Sequence, residues 1–160
     1  MGVSGSGKTT VARTMAERWG DVFIESDDLH SEHNIEKMAD GIALDDQDRL
    51  PWLRAVGERL RLEAAQDHDT VTSCSALKRS YRAILREYAP SAFFVELDGP
   101  IAVIRQRMTS RHHAFITPSL LDSQFATLEP LESDERGVRV DATLGVDEIV
   151  ELVERALADR

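Results

Sequence analysis

The chain has 160 residues, 42% of them hydrophobic and 30% charged, a globular composition that excludes disordered and collagen-like chains. Its 19 basic and 29 acidic residues leave a formal net charge of −10, so the surface as a whole repels nucleic acid. A single cysteine, Cys74, excludes an internal disulfide, and no apolar run approaches the roughly 18 residues of a membrane-spanning helix. The expectation is one soluble, cytoplasmic domain over residues 1–160, large enough to fold without disulfides or structural metal.

At the start, Gly2-Val3-Ser4-Gly5-Ser6-Gly7-Lys8-Thr9 satisfies the P-loop pattern in full. Such a loop turns successive backbone N–H groups onto phosphate oxygens, its lysine reaches the outer phosphates and its threonine hydroxyl ligates Mg²⁺. This assigns residues 2–10 (Gly2, Val3, Ser4, Gly5, Ser6, Gly7, Lys8, Thr9 and Thr10) to ATP and Thr9 to the metal. Val11, Met15 and Trp19 then recur at helical spacing until Gly20, so a helix follows the loop and points its positive dipole end at the phosphates. A P-loop is normally preceded by a central strand, yet only Met1 stands before Gly2. The expectation is a natural start upstream, with a gap in the sheet and two unpaired strand edges here.

Val22–Ile24 reads as a buried strand whose carboxyl end is Glu25–Asp27. Between Leu29 and Trp52 the chain is dense in polar groups: His30, Asn34, Lys37, Asp45, Asp48 and Arg49. Such density suits a helical insertion, about residues 28–66, that binds a small hydroxyl-rich anion; a solvated helix face is the other reading. Asp45 to about Gln66 carries a helical stripe with Pro51 near its first turn, Val71–Cys74 reads as a strand, and Ser75–Tyr88 as a helix. Phe93–Leu97 is a strand stopped by Gly99. Ile101, Ile104 and Met108 mark a helix, Pro118–Leu128 another, Val138–Asp141 a last strand and Val146–Leu157 an amphipathic helix. Strands and helices in alternation imply βαβ units, and hence an α/β fold of three layers with a central parallel sheet flanked by helices.

In a parallel sheet, every strand ends on the edge that carries the P-loop. That edge selects Glu25 and Asp27 after one strand and Ser75 and Lys78 after another. A carboxylate there orients an acceptor hydroxyl and takes its proton; capping of the next turn is the alternative for Asp27. Arg107 and Arg111 share a helix face, placed either to close over nucleotide phosphates or to complement a helix C-terminus. The sequence uses lysine only at positions 8, 37 and 78. A GTPase switch would carry Asn-Lys-x-Asp, which is absent, and the only Asp-x-x-Gly, at 134–137, comes too late.

Taken together these segments resemble the gluconate kinase family, small P-loop kinases related in fold to shikimate and nucleoside monophosphate kinases. The resemblance runs through Gly2–Thr9, Asp27 and His30, Asn34–Met38, Gly41 and Leu44, Asp46, Asp48-Arg49 and Pro51-Trp52-Leu53. It continues through Cys74–Lys78, Tyr81-Arg82, Leu85-Arg86, Arg107, Arg111, Leu121, Ser123-Gln124-Phe125 and Leu128-Glu129. It implies the reaction ATP + D-gluconate → 6-phospho-D-gluconate + ADP with Mg²⁺, and a homodimer. By the same resemblance Lys8, Asp27, Arg107 and Arg111 are catalytic, Asp27 being the base for the 6-hydroxyl. Asp27, His30, Lys37, Arg49, Lys78, Arg82 and Gln124 contact the substrate, and about residues 107–118 form a lid. The chain departs from the family pattern at Glu25, where an Asp is usual, and at Ala114, where a His usually precedes Phe115; here the histidines are His112 and His113. Acceptors such as shikimate, or nucleotide binding without catalysis, are the competing expectations.

Overall fold

Helix α1 (Lys8–Trp19) opens directly from the glycine-rich loop and stops at Gly20, after which β1 (Val22–Glu25) leads into a 3₁₀ turn over Ser26–Leu29. The computed structural model describes residues 1–110 and 117–159. Next come α2 (Glu32–Ala39), α3 (Asp46–Ala64), β2 (Thr70–Ser73), α4 (Arg79–Tyr88) and β3 (Phe94–Asp98). The rest is α5 (Ile101–Ser110), α6 (Pro118–Thr127), β4 (Gly137–Asp141) and α7 (Val146–Ala158). Most boundaries fall within a residue or two of those expected.

Where α3 begins is set by a reciprocal cap: Asp45 Oδ1 accepts from the Asp48 amide at 2.9 Å and Asp48 Oδ2 from the Asp45 amide at 3.0 Å. The helix starts within a residue of the expected position, and Pro51 sits just past its first turn, where it forfeits a bond to the Gln47 carbonyl. The expected helix over Ser75–Tyr88 is shortened to Arg79–Tyr88. Ala76 has φ 41°, incompatible with a right-handed helix, and the Ser75 and Leu77 carbonyls are taken by the distant amides of Gly2 (3.1 Å) and Glu129 (2.8 Å).

The strands form two parallel pairs. β1 runs beside β2 from Val22↔Thr70 to Glu25↔Ser73, and β3 beside β4 from Phe94↔Gly137 to Asp98↔Asp141. The expected gap lies between β2 and β3, where no strand is found among the described residues. Met1 and Gly2 together span it. The Met1 amine donates to the Val95 carbonyl, its own carbonyl accepts from the Leu97 amide at 2.9 Å, a parallel bridge, and the next amide, Gly2, reaches across to Ser75. Beside Met1 a cavity of about 550 Å³ separates the pairs, lined by Val71, Ser73, Phe94 and Val95.

Helices cover both faces. On one, Trp52, Leu53 and Val56 of α3 meet Tyr81 and Leu85 of α4 over Ile24 and Phe94. On the other, Val11 and Met15 of α1 meet Ile149, Val150 and Val153 of α7 over Leu97 and Val140. β3 shows the period-two logic directly, with Phe94 facing one core and Leu97 the other.

Arg82 corrects an expectation. Its side chain is fully buried, and all five of its N–H groups are engaged. Nε and Nη2 form a fork on Glu135 at 2.8 and 2.5 Å, while the remaining donors go to the carbonyls of Ala76, Glu129 and Pro130. With no donor left for a substrate, Arg82 is an internal clip that ties α4 to the segment before β4. The Arg82 guanidinium holds the Glu135 carboxyl down at about 2, against an ordinary 4.5. Glu135 thus contributes stability that is complete above about pH 4.5 and lost as the pH falls toward 2. Glu135→Gln is expected to cost of order 3 kcal/mol in urea unfolding at pH 7, by stripping a buried cation of its counter-charge. The gap between wild type and variant should close through that acid window; a gap independent of pH would contradict the paired geometry.

Candidate active site

The glycine-rich loop lies at the carboxyl edge of the strands, as parallel topology requires. Gly7 has φ 99° at the N-cap of α1, a conformation that side chains resist. Gly5 has φ 80°, and a Cβ there would come within 2.6 Å of Met108 Cγ on α5. The Lys8 ammonium donates to the Val3 carbonyl at 2.9 Å, closing the loop on itself. Burial pushes the Lys8 pKa below the ordinary lysine value, with Asp27 and Glu25 acting in the opposite sense. A desolvated cation in that position is stabilised by an arriving anion.

Three features fit a nucleotide's phosphates and its metal. Among the described residues Ser6 Oγ is buried without a hydrogen-bond partner, so the loop holds a donor that none of them satisfies. The Ser4 amide donates to Gln124 Oε1 at 2.6 Å, which brings α6 to the loop's rim. Thr9 Oγ1 lies 3.3 Å from Ser73 Oγ, an uncharged pair of hydroxyls. Among the described residues no cluster of three His, Cys, Asp or Glu could hold a metal. The Thr9 hydroxyl suits Mg²⁺, which takes most of its ligands from phosphate and water.

Asp27 projects from the 3₁₀ turn after β1, with 75% of its side chain exposed. Behind it His30 stacks on Trp52 with ring centroids 4.3 Å apart and planes 12° from parallel. Trp52 Nε1 donates to the Ser26 carbonyl at 2.7 Å and pins the same turn. Of the insertion's charged groups, Lys37 is bound to Asp48 at 2.5 Å and Lys78 to Asp46 at 2.7 Å, and the Tyr81 hydroxyl also donates to Asp46. These bonds hold both carboxyls below the ordinary Asp value.

Arg49 differs from these cations. It is largely buried, its Nε donates to the Leu44 carbonyl at 3.2 Å, and its guanidinium lies 6.0 Å from the Tyr81 ring centroid. Among the described residues no carboxylate is within ion-pair distance of it. An open hollow of about 490 Å³ lies alongside, lined by Leu44, Asp46, Gln47, Lys78, Tyr81 and Thr127. Arg107 Nη1 donates to the Ala142 carbonyl at 2.6 Å, which anchors α5 beyond β4. Arg111, His112, His113 and half of the expected lid, residues 111–116, lie outside the described residues.

A family profile described as an AAA domain matches residues 1–131. The chain is 44% identical over 151 residues to a gluconokinase of Gluconobacter oxydans (strain 621H), covering 94% of this chain and 85% of that protein. It is 40% identical over 158 residues to the thermosensitive gluconokinase of Escherichia coli (strain K12), covering 98% and 84%. The chain belongs to the gluconokinase family. The crystal structure of a gluconokinase from Sinorhizobium meliloti 1021 superposes with TM-score 0.88 at 48% identity, covering 99% of this chain and 89% of that one. The architecture is therefore the P-loop kinase fold of that family.

Two features of this gluconokinase-family site escaped the sequence reading. Asp46 gathers Lys78 and Tyr81 from 32 and 35 residues away, a convergence no local pattern announces. Asn34 bonds both the Asp48 carbonyl and His30, a pairing that neither its polar surroundings nor its place in the Asn34–Met38 motif spelled out.

Proposed function

We propose that the chain is a gluconokinase, transferring the γ-phosphate of ATP to the 6-hydroxyl of D-gluconate, and that its charged groups form one continuous device for the reaction. The observation carrying this reading is a run of side-chain contacts leading from the turn after β1 into the insertion. Asp27 lies 4.0 Å from His30, which stacks on Trp52 of α3, while Arg49 of the same helix faces the Tyr81 ring and Tyr81 and Lys78 both bond Asp46. At one end are the phosphate-binding lysine and the loop amides, at the other the cations suited to a sugar acid's carboxylate, with Asp27 between.

Each residue then has a task. The loop of residues 2–10, with Lys8, holds the phosphates and draws charge from the leaving oxygen. Arg49 takes the gluconate carboxylate, with Lys78, Lys37 and Gln124 around the hydroxyls. Asp27 accepts the proton of the 6-hydroxyl as its oxygen bonds to the γ-phosphorus and the bridge to the β-phosphate breaks. Thr9 would hold Mg²⁺, which neutralises phosphate charge when bound. Arg107 and Arg111 close the phosphate side, and the segment of about residues 107–118 serves as the lid. The insertion of about residues 28–66, containing α2 and α3, supplies the acceptor pocket within one domain. A cytoplasmic homodimer completes the reading.

Coupled ADP release with Mg-ATP against D-gluconate, shikimate and a nucleoside monophosphate tests it. The expected result is turnover with gluconate at least tenfold above the others, the order of discrimination a differing pocket contact supplies. Preference for another acid would keep the kinase and move the acceptor. ATP-dependent thermal stabilisation without ADP release from any acceptor would leave only a nucleotide-binding protein.

A further inference from the structure

The main-chain carbonyl of Asp48 can only accept a hydrogen bond, and Asn34 Nδ2 lies 2.9 Å from it. Asn34 therefore turns its NH₂ group, not its oxygen, to that side. The same nitrogen is 3.3 Å from His30 Nδ1. An NH₂ group facing a ring nitrogen requires a lone pair there, so Nδ1 is unprotonated and the neutral ring carries its proton on Nε2. Nε2 in turn lies 4.0 Å from Asp27 Oδ1.

We propose that His30 is a positioning residue that acts through Asp27: its Nε2–H, fixed in that tautomer by Asn34, is donated to the Asp27 carboxylate and aims it at the acceptor hydroxyl. This rests on the reading of Asp27 as the base. The two side chains differ as such a pair should. His30 is 4% exposed and stacked on Trp52, whereas Asp27 is 75% exposed, so the contact requires only a rotation of the Asp27 side chain. The groups facing the ring agree with a neutral donor. Burial pulls the His30 pKa down to about 4, Arg49 from α3 adds to this, and Asp27 from the turn opposes it. Asn34 from α2 is uncharged, and beyond it the Lys37–Asp48 pair is internally neutralised. The expected substrate contact at His30 is thereby replaced by a task one step removed from the substrate.

Two measurements test the proposal. Long-range ¹H–¹⁵N spectra of the substrate-free protein at pH 7 are expected to show the Nε2–H tautomer for His30. An Nδ1–H tautomer or an imidazolium would overturn the proposal whatever the enzyme's activity. His30→Phe keeps a ring against Trp52 and removes the donor. It is expected to lower kcat about tenfold, the order of one hydrogen bond to a charged group, with KM for ATP unchanged. His30→Gln places an amide N–H close to the lost one and is expected to recover most of that turnover. Equal impairment in both variants would mean a purely steric role and would overturn the proposal, as would undiminished turnover in His30→Phe. Asp27→Asn serves as the control. If it keeps normal turnover, the assignment of Asp27 falls; if it is impaired while His30→Phe is not, only the positioning role falls.

Discussion

Asp27→Asn is expected to lower turnover with gluconate by roughly 10²-fold or more, the contribution a positioned general base commonly makes. The amide keeps the size and most of the hydrogen bonding of the carboxylate but cannot take a proton. Asp27 is three-quarters exposed and takes no part in either core, so the variant should fold normally. KM for ATP should move little, because the nucleotide is held by the loop and Lys8. Coupled ADP release on the purified variant reads both turnover and KM. Turnover near wild type would remove Asp27 from the chemistry and direct attention to Glu25, the acid at the end of β1.

Lys8→Ala is the second large effect. Removing one preorganised group that meets charge developing in the transition state costs roughly 10²–10³-fold in kcat. The fold should survive, because among the described residues the only hydrogen bond of the ammonium is to the Val3 carbonyl. Burial already depresses the Lys8 pKa, so deleting the charge relieves a desolvation cost. The melting temperature without nucleotide should therefore stay level or rise, while the stabilisation by ATP shrinks. A fall in melting temperature without nucleotide would mean that Lys8 supports the loop itself, and activity loss in the variant would then say nothing about transfer.

Much of this architecture is visible in the sequence because local physics fixes it. The loop glycines, the period-3.6 stripe of α1 and the short apolar strands place the P-loop edge and the acids beside it. The Asp45–Asp48 cap fixes where α3 begins, and α3 carries Arg49. What stayed hidden depends on partners far apart in the chain. Ser75-Ala76-Leu77-Lys78 has good helix formers, yet Leu77 is fully buried and the neighbouring carbonyls serve Gly2 and Glu129. Arg82 has the residue type and the neighbourhood of a substrate ligand, but its counter-charge, Glu135, stands 53 residues later. The tautomer of His30 follows from the direction of one backbone carbonyl, which no side-chain pattern encodes.

Proton-coupled ³¹P NMR of the reaction mixture reads whether phosphate reaches the primary 6-hydroxyl of gluconate. Phosphate on the 6-oxygen has two protons on the adjoining carbon and must appear as a triplet growing in step with ADP. A doublet, from an ester on one of the secondary hydroxyls, or inorganic phosphate accumulating in place of an ester, would contradict the account.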